Sequence, residues 1–207
     1  MEIITLFPRG FGANAYAIKL DGGDAIVIDP AQPRIKNELE KHGLRAKFVL
    51  LTHCHFDHIG GVESLQKDGA RVYCSEKEKP LVGTYAELSE HFGAPYSNYT
   101  VDETFYDGEE KEFGGLRVKA LLTSGHTQGS VCYLFTEKDG GRYLFTGDTL
   151  FAGTVGRTDF PTGDMAKLRL SLKKLADLDG DMPVYPGHEE STTLDRERKT
   201  NPFMLDA

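Results

Sequence analysis

Residues 51–61 read Leu51-Thr52-His53-Cys54-His55-Phe56-Asp57-His58-Ile59-Gly60-Gly61, and three of the chain's seven histidines fall within this stretch. An apolar run, Phe48-Val49-Leu50-Leu51, leads straight into it, as a buried strand would. If the strand persists to His55, then His53 and His55 point to the same side of it. Asp57 stands where a helix N-cap is wanted, and the chain turns. Such a strand-to-helix corner aims His53, His55, Asp57 and His58 at one small volume. Imidazole and carboxylate groups gathered in this way suit zinc or iron. The competing account is four ordinary polar residues on a surface loop.

Three later positions have the same character. They are His126 in Ser124-Gly125-His126-Thr127, Asp148 in Thr146-Gly147-Asp148-Thr149, and His188 in Tyr185-Pro186-Gly187-His188. Each follows a glycine at the C-terminal end of an expected strand. Ligands at strand ends converge on one rim of a sheet, and glycine lets backbone approach closely. Singly, each reads as a loop histidine or a turn aspartate. Together with the first cluster they complete two ligand sets. His42 and His91, shortly before Gly43 and Gly93, suit the C-terminal ends of helices and are given no function.

The periodicity predicts strands over residues 2–7, 14–20 and 24–29, with Asp21-Gly22-Gly23 as a hairpin turn. A helix is expected over 33–41, a buried strand over 47–52, a helix over 62–67, and a two-piece helix over 76–92 broken at Pro80 and Gly83. A second β-rich half follows, with strands over 116–123, 131–135 and 143–146. Then come a helix over 164–176, a short strand at 184–185, and a short helix after Ser191. Strands and helices given twice suggest two sheets with helices outside, an α/β or α+β chain. Arg196, Arg198 and Lys199 form a basic cluster that reads as a solvated helix face or an aid in holding an acidic ligand.

Composition narrows the partners. Lys plus Arg is 24 against 32 for Asp plus Glu, a formal charge of −8, which disfavours nucleic acid and anionic membrane. Hydrophobic residues make up 39% of the 207, enough to build the core of one domain spanning 1–207. No run approaches the roughly 18 apolar residues of a membrane span. The first seven residues lack the basic and apolar regions of a signal peptide and read as a strand. Cys54, Cys74 and Cys132 are odd in number and form no Cys-x-x-Cys pair. A disulfide framework is therefore not expected, and a reducing cytoplasm is the expected setting.

The pattern His53-x-His55-x-Asp57-His58, followed by Gly125-His126, Gly147-Asp148 and Gly187-His188, resembles the metallo-β-lactamase superfamily over nearly the whole chain. Asn14, Tyr16 and Asp29-Pro30 are similar to that family's early motifs. The resemblance implies a four-layer αββα sandwich and two divalent metal ions, zinc foremost, with iron or manganese also tolerated. It implies that His53, His55 and His126 hold one ion, Asp57, His58 and His188 the second, and that Asp148 bridges both. Asp29 would be a supporting residue. Gly147-Asp148-Thr149-Leu150-Phe151 and Asn201-Pro202-Phe203-Met204 resemble glyoxalase II, the hydroxyacylglutathione hydrolases, and its short bacterial type above all. Gly156-Arg157-Thr158-Asp159-Phe160 is similar to persulfide dioxygenases, mononuclear iron enzymes of the same superfamily.

The resemblance therefore implies a thioester hydrolase, S-lactoylglutathione being the model substrate, acting by attack of a metal-bridging hydroxide on the carbonyl. A thiolate leaves with little help from an acid. Arg157, in a glycine-rich loop nine residues after Asp148, is the candidate clasp for a substrate carboxylate, with an ion pair to Asp159 as the alternative. Two departures bear on glutathione. Only 19 residues follow His188, where glyoxalase II carries a helical extension, and Glu190 stands where it tends to have tyrosine. Cys54 is expected to point away from the ligands, and Phe56 to wall the pocket or pack in the core.

Overall fold

The computed structural model describes residues 1–6 and 12–205. Two compact units, Met1–Phe105 and Tyr106–Ala207, divide it, each built on one six-stranded sheet. In the first, the strands run in sequence order across the sheet: β1 (Ile3–Leu6), β2 (Ala15–Lys19), β3 (Asp24–Ile28), β4 (Arg45–Leu50), β5 (Arg71–Ser75) and β6 (Glu103–Phe105). Neighbours from β1 to β3 are antiparallel, and those from β3 to β6 are parallel. The expected turn at Asp21-Gly22-Gly23 closes the β2–β3 pair, with Gly22 at φ 73°. Parallel neighbours need crossovers. These are α1 (Ile35–Lys41) between β3 and β4, and α2 (Phe56–Ile59) with α3 (Val62–Lys67) between β4 and β5. Strands β3 and β5 are buried along most of their length, and Val27, Val49 and Val72 pack with Leu39 and Leu65 from the helices.

Three expectations shift here. The strand expected over 47–52 ends at Leu50, so His53 and His55 stand on the loop beyond it. His55, not Asp57, is the N-cap of α2, and Asp57 lies inside its first turn. The two-piece helix becomes a 3-10 turn at Lys79–Leu81, another at Tyr85–Glu87, and α4 (Ser89–Phe92). Gly83 at φ 75° and Leu88 at φ 63° each break the helical path. Of the strand expected over 2–7, Phe7 lies outside the described residues.

The second unit begins as an antiparallel meander of β7 (Glu110–Phe113), β8 (Leu116–Leu122), β9 (Val131–Thr136) and β10 (Arg142–Gly147). After α5 (Met165–Ala176), β11 (Pro183–Pro186) pairs parallel with β10, and β12 (Thr192–Thr193) pairs antiparallel with β11. Asp164 caps α5 by accepting from the Ala166 and Lys167 N–H groups at 2.9 and 3.1 Å. Leu168, Leu172 and Leu175 form its buried stripe against Leu144 and Val184. Helices α6 (Leu194–Thr200) and α7 (Pro202–Leu205) follow. Arg198, expected on a solvated face, instead donates to the Ala176, Leu178 and Gly180 carbonyls and ties α6 to the end of α5. Two sheets with parallel and antiparallel pairs and helices between strands make the chain α/β.

Candidate metal centre

In the first unit the ligand-type residues gather on the corner between β4 and α2. The rings of His53 and His55 lie 4.6 Å apart, and those of His53 and His58 lie 4.0 Å apart. Asp57 Oδ2 is 4.0 Å from His58 Nε2. All three histidines are buried, and Asp57 is half-buried.

Asp29 organises this corner. It follows β3 with a left-handed backbone, φ 46°, a conformation that Asp tolerates better than most residues. Its Oδ1 accepts the Thr52 N–H at 2.8 Å, while Oδ2 accepts the Thr52 hydroxyl at 2.6 Å and His58 Nδ1–H at 2.9 Å. A hydroxyl has one hydrogen. With it given to Asp29, Thr52 Oγ1 is an acceptor toward His53 Nδ1 at 3.1 Å. Both His53 and His58 therefore carry their proton on Nδ1 and present an Nε2 lone pair, the form a metal takes.

Close packing brings Asp29 and His58 together. A Cβ on Gly60 would lie 2.4 Å from the Ala31 carbonyl oxygen, and one on Gly61 would lie 2.4 Å from that of Gln32. The Gly61 N–H donates to the Pro30 carbonyl at 2.6 Å. The segment after Asp29 and the start of α3 thus touch through the space of two absent side chains.

Cys54, between the ligand histidines, is buried beside Leu81 and Ala86. Burial, and then the nearby Glu78 carboxylate, push its thiol well above the usual range. It is a packing residue and no nucleophile. Phe56 stacks on Phe92 with ring centroids 4.9 Å apart.

In the second unit His126, Asp148 and His188 leave three different strand ends and meet. Asp148 Oδ2 lies 3.4 Å from His126 Nε2 and 3.5 Å from His188 Nε2. His126 Nδ1 donates to the Arg157 carbonyl at 2.7 Å. That fixes the proton on Nδ1 and turns the Nε2 lone pair toward a carboxylate oxygen. A lone pair facing a carboxylate calls for a cation between them, either a metal ion or a second proton on the ring. Two ligands about 2.1 Å from one metal at the tetrahedral angle stand about 3.4 Å apart, so the donor set fits a metal ion.

Several contacts hold these candidate ligands. The Gly187 N–H donates to the Gly147 carbonyl at 2.8 Å, tying the His188 loop to the Asp148 loop. A Cβ on Gly156 would lie 1.9 Å from the Asp148 carbonyl oxygen, so only glycine lets these strands of backbone pass. The Phe151 ring meets His188 edge-on at 5.8 Å. Behind Phe151 lies the buried Glu197, which accepts the Gly153 N–H, the Thr192 hydroxyl and the Asn201 amide at 2.8, 2.7 and 2.9 Å. Asn201 also donates to the Thr154 carbonyl at 3.1 Å. Glu197 escaped sequence reading because it stands in a charged helix, Leu194-Asp195-Arg196-Glu197-Arg198, that looks solvated.

Arg157 serves His126 through its backbone. Its guanidinium forks onto Asp159, with both contacts at 2.6 Å, and lies over the Phe160 ring at 3.8 Å. The Arg157 guanidinium in turn holds the Asp159 carboxyl down at about 2.

Comparison with known proteins agrees with this picture. The family model of the metallo-β-lactamase superfamily matches residues 8–188. Hydroxyacylglutathione hydrolase GloC of Haemophilus influenzae is 35% identical, with 99% of this chain and 97% of that protein aligned. The crystal structure of BLEG-1, a B3 metallo-β-lactamase, superposes with a TM-score of 0.87 at 29% identity, covering 98% of this chain and 99% of that one. TTHA1623, crystallised in a di-iron-bound form, gives 0.81 at 34% identity, covering 98% of this chain and all (100%) of that one. By sequence pattern, fold and family match alike, the chain belongs to the metallo-β-lactamase superfamily.

Proposed function

We propose that this chain is a binuclear metal-dependent thioester hydrolase of the glyoxalase II kind. The observation that carries the reading is Asp148 Oδ2 set between the Nε2 atoms of His126 and His188, at 3.4 and 3.5 Å. In the proposed site His53, His55 and His126 take one ion and Asp57, His58 and His188 the other, with Asp148 shared. Residues 1–207 then act as one functional domain. The similarity to GloC supports a small thioester as substrate. Zinc suits the histidine-rich set, while the di-iron form of TTHA1623 keeps iron in view, and manganese tolerates the same ligands.

Divalent ions held there supply Lewis acidity, lowering the pKa of water toward neutrality and polarising a carbonyl oxygen. The chain's own part is orientation. Asp29 and Thr52 hold two imidazoles in the Nδ1–H form, and the Arg157 carbonyl does the same for His126. Phe151 packs edge-on against His188. A thiolate leaving group, of pKa about 8.5, needs no dedicated acid, and the reading requires none. Arg157 is proposed to receive a substrate carboxylate by exchanging it for Asp159. Arg157→Ala should then raise KM for S-lactoylglutathione and leave kcat unchanged.

Among the described residues no helix is long and apolar enough to cross a membrane. Cys54, Cys74 and Cys132 are buried thiols, which supports a reducing, cytoplasmic setting. Net acidity still makes nucleic acid a poor partner.

Metal analysis run beside a thioester assay and a persulfide assay tests the reading. The expected result is up to two ions per chain and hydrolysis of S-lactoylglutathione. Full loading with no thioester turnover would overturn it. Persulfide-dependent oxygen uptake by iron-loaded protein would move the chain to the dioxygenases.

A further inference from the structure

The loop that carries His53 and His55 lies beyond the end of β4, so the sheet does not hold all its backbone. Leu51 still donates to the Tyr73 carbonyl of β5 at 2.9 Å. Past that point two of the N–H groups go to side chains. Thr52 donates to Asp29, and Cys54 donates to Glu78 Oε1 at 2.8 Å. Glu78 is fully buried, although it belongs to the run Glu76-Lys77-Glu78-Lys79, which reads as a solvent-facing turn.

Its base is rigid. The Glu78 N–H donates to the Ser75 hydroxyl and the Ser75 carbonyl, both at 3.1 Å. Ser75 is the last residue of β5, in register with Phe105 of β6, and Glu76 donates to the Phe105 carbonyl at 2.9 Å. Glu78 therefore reaches from just past the end of β5 to the N–H of Cys54, the one residue between the two histidines. A carboxylate has to be desolvated to sit there, which an accepted hydrogen bond only partly offsets. An apolar side chain would fill the space but leave the buried Cys54 N–H without its acceptor.

We propose that Glu78 is a positioning residue for metal binding: through the Cys54 N–H it sets the spacing and tilt of His53 and His55. This rests on the reading of those histidines as metal ligands. Groups of this kind, one step removed from a ligand, change metal affinity by roughly 10- to 100-fold when lost. Position and charge can be separated. Glu78→Gln keeps the reach and an acceptor oxygen but loses the charge. Glu78→Asp keeps the charge but falls one methylene short.

The test is zinc affinity by competition with a chromogenic chelator, with thermal melts of metal-free and zinc-loaded protein. Glu78→Gln is expected to bind zinc within about threefold of wild type, and Glu78→Asp about tenfold or more below it. The rise in melting temperature on adding zinc should shrink for Asp and persist for Gln. Both variants binding as wild type, or Gln binding no better than Asp, would overturn the proposal. So would equal losses of melting temperature with and without zinc, the mark of a merely structural role. Wild type that takes up no zinc, iron or manganese would instead overturn the metal reading beneath it.

Discussion

The two units supply the proposed ligands in opposite ways. In the first, four come from six consecutive residues, 53–58, on a single corner, and buried carboxylates at Asp29 and Glu78 hold that corner from behind. In the second, three come from three strand ends separated by 22 and 40 residues, 126 to 148 to 188, and backbone groups hold them. A contiguous corner shares its supports, so one change reaches several ligands. A dispersed rim has separate supports, so one change stays local.

The largest break should come at Asp57. Asp57→Ala is expected to lose one of two metal ions and to cut thioester hydrolysis by roughly a thousandfold or more, with the circular dichroism of the fold retained. An unchanged rate would remove Asp57 from the ligand set. Next is Asp29→Asn, where the amide brings donor hydrogens to a site that now accepts three. Because His53 and His58 both depend on it, this change should weaken both ions, by about 10- to 100-fold in chelator competition. Weakening of only one ion would break the idea of shared support.

Glu197→Ala probes the other unit. It leaves the buried Thr192 hydroxyl without its acceptor and takes a partner from the buried Asn201 amide, at a cost of about 2 to 4 kcal/mol in denaturant unfolding. Metal affinity should move less than for Asp29→Asn, since Glu197 bonds to Gly153, Thr192 and Asn201 rather than to a proposed ligand. The smallest expected effect is at Glu87, buried in the segment behind Cys54. Burial raises its carboxyl from 4.5 to about 7. The folded value lies above the unfolded one, so the associated stability is complete below pH 4.5 and is lost as pH rises through about 7. Glu87→Gln should remove that loss, gaining on the order of 2 kcal/mol at pH 8 and little at pH 4. Zinc affinity should not change, which would set Glu87 apart from Glu78.

The same contrast explains what the sequence made legible. The corner could be read directly, because its ligands are neighbours and an apolar strand precedes them. The rim could be read only as three glycine-led residues awaiting a fold. The helices expected over 62–67 and 164–176 matched their local signals because those signals are local. The helix expected over 76–92 failed at Leu88, whose left-handed backbone no residue type announces. Strands β5, β6, β7 and β12 went unread: the last three are short or charged, and β5 is buried between parallel neighbours with no alternation to mark it. Glu78 and Glu197 were invisible for one reason: a charged residue among charged residues looks solvated until its neighbours in space are known.

Gly60 and Gly61 carry a consequence for how such a site can change over time. At a ligand position, another donor can stand in: aspartate or cysteine for histidine keeps a lone pair and swaps one metal preference for another. At 60 and 61 no exchange of that sort exists. What those positions contribute is vacancy, and no side chain is smaller than none. Descendants of this chain can therefore drift in the metal they prefer far more readily than in the gap that lets Asp29 reach His58.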